Sequence, residues 1–186
     1  MNDKDLVRQV LNGHKASFEI LIKRYQKLVA HMVGRVISRQ EDHEEICQDV
    51  FVRVFEKLNE FKFESKLSTW IATIAYRLSI NFINKNQLKL ADPEMAEILF
   101  NKNYIEELSP GKRMEMQDSA EHIQEMVMLL PVQFRVVLTL FHLEEMSYPE
   151  IEEVTGMPIG TIKSYLFRGR KLLKEKMELF MKTEEL

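Results

Sequence analysis

The chain has 186 residues, with 26 basic and 29 acidic side chains and a formal net charge of −3. That length allows one or two compact domains, and the slight acidity is unusual for a protein that binds DNA unaided, because phosphate neutralisation supplies most non-specific affinity. A single cysteine, Cys47, excludes an intrachain disulfide and a cysteine zinc site, and no apolar run approaches a membrane span.

The N-terminus, MNDKDLVRQV, is charged and has none of the apolar core of a signal peptide, so a cytoplasmic location is expected. A short helix is expected near residues 3–12. Residues 15–39 carry apolar side chains at Phe18, Leu21, Ile22, Tyr25, Leu28, Val29, Met32, Val33 and Val36, a 3–4 spacing that predicts a long amphipathic helix. Residues 41–59 predict another, with Ile46, Val50, Phe51, Val54, Phe55 and Leu58 inward. Four acidic residues, Glu41, Asp42, Glu44 and Glu45, stand at its start, where the helix dipole favours negative charge. A polar connection from Glu60 to Lys66 leads to a third helix, about Leu67 to Asn86, that buries Trp70, Ile71, Ile74, Leu78 and Phe82.

Residues 86–117 break this pattern. Pro93, Pro110 and Gly111 punctuate them, and no long amphipathic face survives, which predicts a linker with room for a short helix at 93–100. Thirty-two residues extend to roughly 105–115 Å, and two turns of duplex span about 70 Å. The linker can therefore let two domains hold separate DNA elements. The expected fold is all-α: two small helical domains joined by a flexible linker, at 1–88, 89–116 and 117–186.

Residues 147–174 read as two helices around a tight turn. Ser147 and Glu150 form an S-x-x-E capping box. Gly156 can take the left-handed conformation that ends the first helix, and Pro158 suits the first turn of the second. Ile162, Leu166, Gly169 and Leu173 then share one face. Gly160, Ser164, Phe167, Arg168 and Lys171 lie opposite. From Thr161 to Lys174 the charged residues are Lys163, Arg168, Arg170, Lys171 and Lys174, all basic. This is the pattern of a helix-turn-helix whose second helix suits a DNA major groove. The bland alternative is a helical hairpin whose charges face water.

The stretch from Leu129 to Leu173 resembles the fourth conserved region of the extracytoplasmic-function sigma factors of bacterial RNA polymerase. Leu130-Pro131, Phe134-Arg135, Ser147-Tyr148, Glu150-Ile151, Gly160-Thr161, Lys163-Ser164 and Arg168 match its pattern. The resemblance implies minus-thirty-five promoter binding by Gly160, Thr161, Lys163, Ser164, Phe167, Arg168 and Lys171. Glu152 departs from a usual alanine, Tyr165 from a common arginine and Phe167 from a common histidine. DHEEICQDVFVRVFEKL resembles the second conserved region of the same family. There the resemblance implies that Glu45, Gln48 and Asp49 offer acceptors to arginines of core RNA polymerase, where charge-assisted bonds are strong and directional. By themselves those residues also fit a solvated acidic face. STWIATIAYRLSINFINK is similar to the family's melting helix. The resemblance implies that Phe61, Lys62, Phe63, Lys66, Tyr76, Arg77 and Lys85 hold the opened minus-ten strand, since aromatic faces and basic grooves stabilise unstacked bases. Arg77 stands where many members carry asparagine, and Asn81 where aspartate is frequent.

The resemblance further implies promoter DNA and an anti-sigma protein as partners, with Met114, Met116, Met126 and Met128 offering either core packing or an adaptable apolar patch. Acidic residues between the domains, Asp92, Glu94, Glu97, Glu106 and Glu107, either imitate phosphate or solvate a tether. The histidines, His14, His31, His43, His122 and His142, lack metal-site spacing, and no phosphate-cradling glycine loop or G-x-S-x-G occurs. No enzyme activity, cofactor or metal is expected. A stand-alone helix-turn-helix regulator or a helical adaptor would each leave some of this pattern unused.

Overall fold

The computed structural model describes residues 1–87, 123 and 126–184. The linker with its proposed short helix, its acidic residues, Met114, Met116 and His122 lie outside the described residues. The described elements are helical: α1 (Asp3–Leu11), α2 (Lys15–Gly34), α3 (Gln40–Lys57), α4 (Leu67–Gln87), α5 (Val132–His142), α6 (Tyr148–Thr155) and α7 (Ile159–Glu184), with a single 3-10 turn at Leu58–Glu60 after α3.

The first four helices form one body. Asn2 caps α1 by accepting the Asp5 N–H at 2.8 Å. Asp3 then accepts from Arg24 at 2.7 Å and from the Tyr25 hydroxyl at 2.8 Å, which fastens α1 across α2. Burial and the Asp3 carboxylate push the Tyr25 phenol well above its ordinary value. Leu6, Val7, Leu21, Val29, Met32, Val33, Val50, Val54 and Ile71 are buried where α1 to α4 meet.

Helix α2 ends at Gly34, five residues before the expected limit. The Arg35 N–H still bonds the His31 carbonyl at 3.1 Å. Val36 and Ile37 then leave the helical path and are buried at 0% and 5% exposure, so the apolar pattern persists although the helix does not. Phe55 also departs from expectation: it is 57% exposed. It follows Val54 by one residue, a rotation of about 100° round the helix. That carries it to the rim of the contact with α2, where it meets Phe18 edge-on with ring centroids 5.0 Å apart.

In the second body α5 and α6 pack on α7. Ile151, Val154, Ile162 and Leu166 are each at most 2% exposed, and burying an aliphatic side chain of this size stabilises by about 1.5–3 kcal/mol. Gly169 sets the approach of α7 to α5. A Cβ there would stand 3.1 Å from Leu138 Cδ1 and 3.3 Å from Phe134 Cβ. Met126 is 8% exposed and belongs to the core; Arg135, 1% exposed, donates to the Met128 carbonyl at 3.3 Å.

The two bodies touch. Helix α6 lies along α4, and α5 meets α2, so one cluster of buried side chains runs through both.

Candidate nucleic-acid interface

Three surfaces carry the residues singled out by sequence. On α3 the buried positions Ile46, Val50 and Val54 fix the helix's rotation. Glu45, Gln48 and Asp49 consequently face solvent. The stripe continues through Val52, 57% exposed, one turn further on, to the exposed Phe55. An acidic, amide-bearing ridge thus ends in an apolar step, of which helical periodicity alone assigned Phe55 to the core.

The second surface is the connection before α4. Phe61, Phe63 and Trp70 form a cluster of mutually tilted rings, with centroids 4.6 Å apart for Phe61–Phe63 and 5.2 Å for Phe61–Trp70. Phe61 is only 8% exposed and lies beneath, whereas Phe63 is 41% exposed. Phe63 has φ 60°, in the left-handed region, which is strained for a bulky side chain and costs on the order of 1–3 kcal/mol. This turn lifts its ring out of the core. Lys4, from α1, sits over the ring at 5.9 Å, and Lys62 and Lys66 flank it on the chain. Lys4 escaped sequence reasoning because its proximity depends on α1 folding back over the 3-10 turn. Tyr76 is half-buried, and burial raises its phenol above the ordinary value. Arg77 and Lys85 are exposed on α4, about 15 and 27 Å along the helix from Leu67. The candidate residues therefore form one cluster at the loop and a separate track along α4.

The third surface is the helix-turn-helix. The Glu150 carboxylate accepts from the Ser147 N–H at 2.8 Å and its hydroxyl at 2.6 Å, completing the capping box. Gly156 has φ 72°, and its N–H bonds the Glu152 carbonyl at 2.8 Å. Pro158 stands immediately before α7, one residue ahead of the first-turn place expected for it, and its carbonyl accepts the Ile162 N–H at 3.1 Å. This local chemistry aims the outer face of α7. Gly160, Lys163, Phe167, Arg168 and Lys171 are exposed, with Thr161 and Ser164 at the margin. Phe167 is 71% exposed, the highest value among the exposed large apolar side chains described. Arg168 donates to Ser164 Oγ at 2.8 Å and leans over Tyr165 at 5.4 Å, while Lys163 lies over Tyr148 at 5.4 Å. Glu152 has a role its sequence position concealed: its carboxylate accepts the Ile159 N–H at 3.2 Å, at the start of α7. An internal anion therefore occupies a helix end suited to phosphate.

Two protein-family descriptions match parts of the chain. Residues 21–88 match Sigma-70 region 2 and residues 120–173 match Sigma-70 region 4. Both regions in this order on one chain define a sigma-type subunit of RNA polymerase. The chain is 28% identical to the ECF RNA polymerase sigma-E factor of Haemophilus influenzae, over 97% of this chain and 98% of that one. It is 26% identical to the ECF RNA polymerase sigma factor SigW of Bacillus subtilis, covering 94% and 96%. The chain belongs to the extracytoplasmic-function sigma factors. The solved sigma factor RpoE of Bartonella quintana, in complex with the anti-sigma factor NepR, has a TM-score of 0.63 at 18% identity, over 87% of this chain and 96% of that one, a likeness of fold. Among the described residues no helix is long and apolar enough to cross a membrane.

Proposed function

We propose that this chain recruits core RNA polymerase to promoters and nucleates strand opening, with the three surfaces in separate roles. Glu45, Gln48 and Asp49 accept charge-assisted bonds from polymerase arginines, and Val52 and Phe55 add an apolar contact at the end of the same ridge. Phe63 is the stacking platform for an extruded minus-ten base, Phe61 and Trp70 support it from below, and Lys4, Lys62 and Lys66 hold the neighbouring phosphates. Arg77 and Lys85 track the strand along α4, and Tyr76 supplies a half-buried edge. Gly160, Thr161, Lys163, Ser164, Phe167, Arg168 and Lys171 meet the minus-thirty-five duplex.

Residues 1–88 and 117–186 act as the two recognition domains and 89–116 as the linker. RNA synthesis remains the polymerase's chemistry, and the chain works in the cytoplasm. The RpoE of Bartonella quintana was solved with an anti-sigma factor; we extend that kind of partner to this chain.

The observation that carries this reading is the outward ring of Phe63, held in a strained turn among lysines on the same chain as a basic recognition helix. A duplex-binding regulator has no use for such a ring. The test is run-off transcription from promoters selected out of a random library, with core polymerase alone and with the chain added. Start-site-specific transcripts that require the chain are expected. Specific duplex binding without polymerase, and no stimulation, would overturn the proposal.

A further inference from the structure

Helix α1 is clamped to α2 at its very start. The Asp3 carboxylate uses both oxygens: Oδ1 accepts from Arg24 Nη1 at 2.7 Å, and Oδ2 accepts from the Tyr25 hydroxyl at 2.8 Å. Arg24 Nη2 donates to the Met1 carbonyl at 3.0 Å, so the guanidinium holds the chain on both sides of Asn2. Chain termini stay poorly ordered unless they are tied down. Here the first turn of α1 is tied ahead of its buried anchors, Leu6, Val7 and Val10. The residue after Asp3 is Lys4, whose ammonium stands 5.9 Å from the centroid of the outward Phe63 ring. Helix α1 also touches the 3-10 turn that leads into that loop.

We infer that α1 is a working part of the minus-ten pocket and that Asp3 is its positioning residue: the carboxylate holds the first turn so that Lys4 stands over Phe63. This rests on the proposed function, which gives Phe63 the extruded base and Lys4 a neighbouring phosphate. A lysine ammonium rides on a flexible four-carbon stem, so the placement of its backbone decides where its charge can act. Lys62 and Lys66 belong to the loop itself. Lys4 reaches it from a separate, packed helix, and so fixes a charge relative to the body and not to the loop. Asp3 touches no nucleic acid in this arrangement. Its pairing with Arg24 also offsets the repulsion that a bare carboxylate would bring to a strand.

The test is a double-mutant cycle on strand opening. Holoenzyme is assembled from core polymerase and the full chain on a promoter selected as above, and 2-aminopurine in the minus-ten segment reports the opening rate. Lys4→Met should slow opening by about fivefold, the loss of one cation beside an exposed ring. Asp3→Asn should slow it by about threefold, a partial displacement of the same charge. Independent sites would multiply to about fifteenfold in the double variant. A residue that acts through Lys4 adds nothing once Lys4 is gone, so D3N/K4M should match K4M. A purely structural role would not give this pattern, because D3N should lower Tm equally with and without Lys4. Pull-down by core polymerase should be unchanged in every variant. Where D3N fails to fold, Y25F, which keeps the Arg24 pair, carries the same cycle. A loss of about fifteenfold in the double variant, or opening at the wild-type rate in K4M or D3N, overturns the inference and leaves the functional reading intact. If the wild-type holoenzyme opens no promoter at all, the functional reading falls and takes the inference with it.

Discussion

Glu150→Ala removes a side chain with two employments, and the structure lets each be weighed. As the third residue of α6 it completes the capping box with Ser147, and loss of a good cap costs about 1 kcal/mol. As partner of Lys66 it forms an ion pair whose lysine side chain is 71% exposed, worth about 0.2–1 kcal/mol. The expected loss is therefore about 1–2 kcal/mol, or roughly 3–6 °C in Tm for a chain of this size. Differential scanning calorimetry of E150A, K66M and the double variant separates the two contributions, with a coupling of about 0.5 kcal/mol between the two sites. Glu150→Gln, which keeps a capping-box residue, should recover some of the loss. The acid limb supplies a further check. The Ser147 hydroxyl first, and then Lys66, hold the Glu150 carboxyl down from 4.5 to about 2. A depressed carboxyl contributes stability that is present above pH 4.5 and lost as pH falls towards 2, so E150A and wild type should converge over that window. Equal Tm values at pH 7, or a loss that vanishes entirely in the K66M background, would refute the capping role.

Asp49→Arg should weaken polymerase pull-down while circular dichroism stays unchanged, since Asp49 is exposed and the change reverses the charge that the proposed function sets against arginines. Phe167→Ala should weaken minus-thirty-five binding by about tenfold, the low end of the ~1.5–3 kcal/mol gained by fully burying a large apolar side chain. If its ring meets a thymine methyl, deoxyuridine at that base should weaken the wild type and leave F167A unmoved. Glu152→Gln removes the internal anion at the start of α7; it should raise affinity of the free chain for duplex DNA and steepen its salt dependence, measured by fluorescence anisotropy. Unchanged affinity would show that the carboxylate does not compete with phosphate.

The helix-turn-helix was legible because its determinants are local. Ser147, Glu150, Gly156 and Pro158 act within a turn of where they stand, and Ile162, Leu166 and Gly169 lie on the buried face their spacing predicts. Non-local facts were not legible. Phe55 has the spacing of a core residue but lies at the rim of the packing surface. Val36 and Ile37 continue an apolar pattern after the helix has stopped, because buried side chains need a neighbour more than they need a helix. Phe61 and Phe63 look equivalent in sequence, and only the left-handed turn separates the supporting ring from the presented one. The approach of Lys4 and the contact of α6 with α4 depend on how chain segments far apart are brought together, whereas the reach of Glu152 to Ile159 spans seven residues and depends on the tight turn between α6 and α7.

The backwards-wound backbone at Phe63 sets two kinds of selection against each other. Glycine would relax that bend at no steric cost, so a library of variants sorted by heat resistance alone should enrich Phe63→Gly. A library sorted by transcript yield should discard the same replacement, because a relaxed bend without a ring leaves an unpaired base nothing to lie against. Divergence of the two pools at this codon would show durability traded for the capacity to unzip a duplex.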